Sequence, residues 1–503
     1  MCQSNPLPLF ERKEFHLPHI MFESKLDKYS EVNSPNTASN KLRDPIFAFL
    51  YIGNLIGIAI VCAMYAPNID FSEIEVNDDA TTDNTAPYIV VAILALILAM
   101  ALSMLVIWLC LRFTSKMIIG SIILQVVVAV VAAAVSFAYG SPWPGVGFLA
   151  LAALYVCYYY CIRRRIPFST ANLKTGITGM RANMGIVAFA FFLLIIQFGF
   201  YALYGVAYMG LQQTFFPCVN GVCETPNGGM VFGILLSFFW TQQVCMQVVH
   251  VTSCGAIATW WFQPERCTGC CSGAVTASIG RATTTSFGSI CLGSLLSALI
   301  SAIRAMAQNA NNSGDGNFFT CIAVCLLQCL EAIIDYFNKW AFVYVAVYGE
   351  TYVTSGKSVF NLFKNRGWSA IINDDLIAGV IRLSVLMIGL LCGGLGWLSF
   401  YVSEESFQRQ ENAEWVLLVV GLLVGWSTAA VFLGPIMSAV DTVFVCFADA
   451  PKELADNHPQ LYEELSFTWS ATHGGWNTSS NNTTQAMGEE GQQGRNNGRR
   501  RGR

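Results

Sequence analysis

The run CIAVCLLQCLEAIIDYFNKWAFVYVAVYGETY, residues 321–352, decides the fold class. It stays mostly apolar for longer than the ~20 residues a helix needs to cross a bilayer. Within it Glu331, Asp335 and Lys339 recur every four residues, and so do Tyr336, Trp340, Tyr344 and Tyr348. On a helix each set forms a stripe, and the two stripes start about 100° apart. A charge in a membrane-length apolar run is costly and faces a cavity, a partner or an ion path. Aromatic faces beside carboxylates are what an organic cation requires. The plain alternative is an internally neutralised ladder, since Glu331 and Lys339 each lie one turn from Asp335. Two acids against one base still leave a carboxylate over, and Asn338 adds a polar amide nearby.

The rest of the chain agrees with a membrane reading. Of 503 residues, 54% are hydrophobic and 12% charged, against about 25% charged in an ordinary soluble domain. The expected fold is an all-α polytopic membrane protein. Ten transmembrane helices are predicted, at 46–65, 88–111, 117–138, 146–161, 186–209, 230–262, 286–305, 318–349, 376–401 and 415–447. The fourth is short and the seventh weakly apolar. The seventh and eighth have a second reading, as a re-entrant pair or as helices partly lying on the inner face. With the N-terminal tail inside, 24 of the 28 Lys and Arg residues fall on inner segments and only Arg409 on an outer loop. Such asymmetry sets orientation, so both termini are expected in the cytosol. The organisation is then a cytosolic tail over 1–45, a transport domain over 46–449 and a cytosolic, largely disordered basic tail over 450–503. Outer loops are expected at 66–87, 210–229 and 402–414.

Cysteine and sequon positions follow from this topology. Cys218 and Cys223, in PCVNGVCETP, are the two of the 18 cysteines on an outer loop and are expected to pair there. Asn311, in Asn311-Asn312-Ser313, is a glycosylation site if its loop faces outward. Cys267, Cys270 and Cys271 have no second ligand pair, so no metal is expected. No Walker loop, hydrolase triad or HExxH motif occurs, which argues against ATP drive, catalysis or a cofactor. The arginines of the terminal GRNNGRRRGR suit anionic membrane lipid rather than nucleic acid.

Polar residues inside the spans mark the chemistry. The sixth span contains FWTQQVCMQVVHVTSCGAIATWWF, residues 239–262, in which Trp240, Gln243, Gln247 and His250 share one helix face. Such a face bonds to neighbouring helices or lines a water-filled path. In the tenth span Gly434-Pro435 marks a kink, and Asp441 follows six residues later, an arrangement suited to a gate or to a helix end near headgroups. That span also contains Gly421 and Gly425, and in the ninth span Gly393, Gly394 and Gly396 permit close helix contact.

At these segments the chain resembles the choline transporter-like proteins, solute carrier family 44, of the fungal and protist type. The resemblance rests on the FW…VVHVT…G…ATWWF run just quoted, on SFGSICLGSLL (286–296) and on CLEAIIDYFNKWAFVYVAVYG (329–349). SGKSVFNLF (355–363), INDDL (372–376) and MSAVDTVFVCFADA (437–450) extend it. The resemblance implies ten spans, cytosolic termini and carriage of choline or a related amine across the plasma membrane or an organelle membrane. Matching positions include Trp240, Gly255, Glu331, Asn338, Ala341, Tyr348, Gly349 and Asp441. His250 stands where animal relatives can have Gln, a change that bears on substrate or on proton coupling.

The expected site is a cavity between the sixth, eighth and tenth spans. Trp240, Tyr344 and Tyr348 supply aromatic faces, Glu331 the field, and Gln243 or Gln247 the contact to a substrate hydroxyl. His250, Asp335, Pro435 and Asp441 are expected to gate or couple. The alternatives are a carrier of another amine or lipid-related substrate, and a non-transporting scaffold or receptor.

Overall fold

The computed structural model describes residues 41–68, 86–140, 142–215, 218–219, 222–223, 228–267, 269, 272–310, 318–366, 369–402 and 413–473. The elements in chain order are α1 (Pro45–Tyr65), α2 (Ala86–Ala138), α3 (Pro142–Ile162), α4 (Ile166–Ala182) and α5 (Gly185–Phe215). A two-residue hairpin follows, β1 (Cys218–Val219) and β2 (Val222–Cys223). Then come α6 (Gly228–Phe262), α7 (Gly273–Thr283), α8 (Phe287–Ala310), α9 (Phe318–Tyr348) and α10 (Tyr352–Arg366). The chain closes with α11 (Ser369–Val402), α12 (Ala413–Asp449), α13 (Pro451–Asn457) and α14 (Pro459–His473). The protein is an all-α polytopic membrane protein, as the apolar runs require, because a chain in lipid must satisfy its backbone within each helix.

Among the described residues nine helices are long and apolar enough to cross a membrane. The difference from ten lies in α2, whose 53 residues contain one non-helical residue, Phe113 at φ −133° and ψ 37°. That break falls inside the link expected at 112–116, and each side of it is of crossing length. The short fourth span lengthens to the 21 residues of α3, because Pro142 starts the helix four residues earlier than expected. Helices α8 and α9 are continuous over 24 and 31 residues, roughly 36 and 46 Å at 1.5 Å per residue. Gly349, at φ 58°, ends α9 in the left-handed conformation that glycine accepts readily.

The segment read as a largely disordered tail begins instead with α13 and α14. Leu454, Leu465 and Trp469 are buried there, which supplies the apolar face that makes helix formation favourable. The tail beyond 473, with its arginines, lies outside the described residues.

The chain divides into two compact units. The first comprises Met1–Ala80, Gly179–Asn365 and Asp441–Glu453, and the second Thr81–Thr178, Arg366–Val440 and Leu454–Arg503. In the first, α6 packs on α5, α7, α8 and α9, and α1 packs on α5 and α8. Glycines set two of these distances. A Cβ at Gly255 would lie 2.9 Å from Ser278 Oγ, so α6 and α7 touch through it. A Cβ at Gly293 would lie 2.6 Å from the rings of Phe342 and Tyr352. In the second unit α2 packs on α3 and α11, and Val91, Ala413 and Leu417 form a buried cluster joining α2 to α12. Gly396 and Gly421 bring α11 and α12 together: a Cβ at either would strike the carbonyl of Leu417 or Cys392. Gly394 faces open space and has no part in this seam.

Candidate functional site

The three charges of the opening segment each find different partners. Glu331 takes Arg304 of α8, with Nε 2.7 Å from its Oε2, and also accepts from Ser301 Oγ. Asp335 accepts from Ser297 Oγ at 2.6 Å. Lys339 turns to α12, where its Nζ lies 3.0 Å from Oδ1 of Asp441. The i, i+4 ladder of acids and base is therefore not closed on itself. Asp441 is only 1% exposed and Lys339 23%, so the ion pair is buried at its acidic end. Breaking such a pair costs about 3–5 kcal/mol, because the remaining charge has no water to solvate it.

Trp340 completes this locus. Its ring is 1% exposed, and Lys339 Nζ stands 5.6 Å from its centroid. Phe444 and Phe363 meet Trp340 edge-on at 5.6 and 5.8 Å, and Tyr336 at 6.3 Å. An ammonium thus rests between a carboxylate and an indole, the two surroundings that favour a desolvated cation. His250 Nε2 meets the backbone oxygen of Lys339 at 3.0 Å, tying α6 to the same turn of α9. Cys254 lies one turn further along α6, its Sγ 3.7 Å from His250 Nε2.

One and two turns further along α9, Tyr344 and Tyr348 are buried with ring centroids 5.8 Å apart. The Tyr348 hydroxyl donates to Asp449 Oδ2 at 3.4 Å. A carboxylate with two aromatic rings therefore stands at the last residue of α12, which sequence reading had passed over.

A third polar group links α8, α9 and α10. Asn338 Nδ2 donates to Gly293 O at 3.0 Å and to Ser297 Oγ at 2.9 Å, while its Oδ1 accepts from the Tyr352 hydroxyl. Burial pushes the Tyr352 phenol up to about 12, so it keeps the proton it donates. Asp44, at φ 49°, accepts from Ser289 Oγ at 2.6 Å and from the Tyr352 backbone N–H at 3.1 Å. Ser289, Gly293, Ser297 and Ser301 recur every four residues on α8. That periodicity, not used in reading the sequence, is the signal that could have found this seam opposite the acids of α9.

The residues expected to share one cavity are distributed otherwise. Trp240 is buried against Tyr51, with centroids 5.3 Å apart, and its Nε1 donates to Cys291 O at 3.0 Å. Its indole is thus committed to α1 and α8, while His250 on the same face is committed to α9. Gln243 and Gln247 are half-buried between them. Glu331 holds Arg304 rather than an open field. Pro435 lies within α12, which continues through it, and belongs to the second unit. Cys218 and Cys223 stand directly opposite one another in the hairpin register, and their side chains lie outside the described residues. Asn311 also lies outside them.

Comparison with known proteins places the chain in a family. Residues 146–452 match the family model described as plasma-membrane choline transporter. Protein PNS1 of Gibberella zeae is 31% identical over 335 residues, which cover 64% of this chain and 62% of that protein. A CTL-like protein of Dictyostelium discoideum is 30% identical over 349 residues, 66% of this chain and 58% of that one. Protein pns1 of Aspergillus fumigatus is 27% identical over 339 residues, with 64% and 63% covered. The matched part of the chain thus spans about three-fifths of the length of these relatives. The family is one of membrane transporters and not of enzymes, and its model runs from within α3 to the start of α13. The chain belongs to the choline transporter-like family.

Proposed function

We propose that this protein carries choline or a related organic cation across the membrane, through a site centred on Asp441 and Trp340. The observation that carries the reading is the position of the Lys339 ammonium, 3.0 Å from the Asp441 carboxylate and 5.6 Å from the Trp340 ring. Lys339 stands where a substrate ammonium would stand. A quaternary ammonium has no N–H to donate, so it depends on aromatic faces and a carboxylate field. An arriving cation replaces Lys339 at Asp441, and the flexible, partly exposed lysine stem withdraws. Charge in the interior is then conserved through the exchange, which avoids the cost of an uncompensated buried carboxylate.

Tyr344, Tyr348 and Asp449 form a second cation-compatible station beyond the first. In the orientation expected from the Lys and Arg distribution, this station closes the cytosolic end. His250 holds the backbone of Lys339 and so sets where the lysine returns, which is a positioning role. An inside-negative potential supplies about 2.3 kcal/mol per charge per 100 mV, roughly 50-fold accumulation, so no coupled ion is required. The plasma membrane is the expected location, in keeping with the name of the family model.

The test is uptake of labelled choline by cells expressing the full chain, with surface abundance measured in parallel. Asp441→Asn is expected to abolish uptake. Trp340→Leu is expected to weaken half-saturation roughly 2- to 30-fold, the range of a desolvated cation–π contact. Unchanged uptake in both variants at equal abundance rules this site out.

A further inference from the structure

The second unit holds a cavity that cation transport leaves unused. It has a volume of about 340 Å³ and is walled by α2, α3 and α11. Ser121, Gln125, Tyr155, Tyr158 and Arg382 form its polar lining, and Leu383 and Leu386 continue the wall. Arg382 lies six residues after Leu376, the first residue of the apolar segment of α11, which sets it about 9 Å along the helix. Its Nε donates to Ala378 O at 3.3 Å, which ties the guanidinium to its own helix. Gly379, one turn earlier, keeps the floor open: a Cβ there would lie 3.6 Å from Gln125 Nε2, an ordinary contact.

Arginine inside a membrane-length helix is rare and marks function. Its planar fork matches the oxygens of a phosphate, and tyrosine hydroxyls and an amide add hydrogen bonds to the same group. Leu386 is 46% exposed beside it, on a helix long enough to cross the membrane, so a ligand held there by its phosphate has an apolar surface along which chains can lie. A soluble phosphate has no use for that surface. Basic pockets between membrane helices are suited to lipid head groups.

We infer that this cavity binds the head group of a membrane phospholipid. Arg382 holds the phosphodiester, Gln125 and the two tyrosine hydroxyls its remaining oxygens, and Leu383 and Leu386 the start of the acyl chains. The assignment rests on the second unit alone and stands apart from the cation reading.

Native mass spectrometry of the detergent-purified full chain tests it with three probes. These are dioleoylphosphatidylcholine, dioleoylglycerol with the same chains and no phosphate, and glycerophosphocholine with the same head group and no chains. The phospholipid is expected to remain bound and the other two to be lost. Arg382→Gln is expected to weaken retention about tenfold or more, the scale of a lost charged hydrogen bond. Gly379→Leu fills the cavity while leaving Arg382 in place and is expected to abolish retention, which keeps the test decisive if Arg382→Gln folds poorly. Retention equal to wild type in Gly379→Leu overturns the assignment. So does equal retention of dioleoylglycerol, which marks an apolar groove only, or of glycerophosphocholine, which marks a site for a soluble ligand.

Discussion

Lys339 carries the most specific consequence of the structure at the scale of single residues. Removing it as Lys339→Met takes away a tethered competitor that acts at an effective concentration in the mM range. Choline affinity at equilibrium is therefore expected to rise by roughly tenfold or more, read by scintillation proximity on purified protein, while folding stability falls. A Lys339→Met, Asp441→Asn double variant is expected to recover stability, because neither charge is then left alone, but to bind no cation. Asn338 is a structural counterpart: Asn338→Leu strands the Tyr352 hydroxyl, while Ser297 keeps its bond to Asp335, and should cost about 1–3 kcal/mol, seen as a lower unfolding temperature. The sequence was legible here in part. The four-residue spacing placed Glu331, Asp335 and Lys339 on one stripe, and that stripe meets α8 at Ser301 and Ser297. What the spacing did not carry was the partner of each charge. Arg304 and Asp441 lie 27 and 102 residues from the groups they neutralise, and no local pattern reports contacts of that range.

Among the elements, apolar runs translated into helices with few changes, since lipid leaves the backbone no other solution. The changes occurred where the hydrophobic signal was not the governing one. Pro142 moved the start of α3, and the amphipathic α4, α7, α10, α13 and α14 lie in stretches too polar to read as spans. The glycines of the ninth span suit close helix contact by their sequence, and Gly396 makes it, with Gly421 of the tenth span opposite, whereas Gly394 points away because successive helix positions differ by about 100°. Gly396→Ala places a methyl group against the Leu417 carbonyl and should destabilise the protein by about 1–3 kcal/mol. Gly394→Ala should be nearly silent in the same thermal unfolding assay. Equal effects from both substitutions would contradict the seam.

For the whole molecule, composition and the long apolar runs sufficed for the class, and the family match agrees with it. The site was less legible because residues on one face of α6 serve different neighbours: Trp240 faces α1 and α8, and His250 faces α9. A helix face predicts a common direction, not a common cavity. The central claim is that a buried carboxylate, held at rest by the protein's own lysine, passes an organic cation driven by gradient and potential. Its most direct measurement is the flux of labelled choline into proteoliposomes containing the full chain, with and without an inside-negative potassium diffusion potential. The account predicts accumulation that rises with the imposed potential toward about 50-fold at 100 mV and vanishes in Asp441→Asn. Flux that ignores the potential, or that persists in Asp441→Asn at equal reconstituted amount, would contradict it.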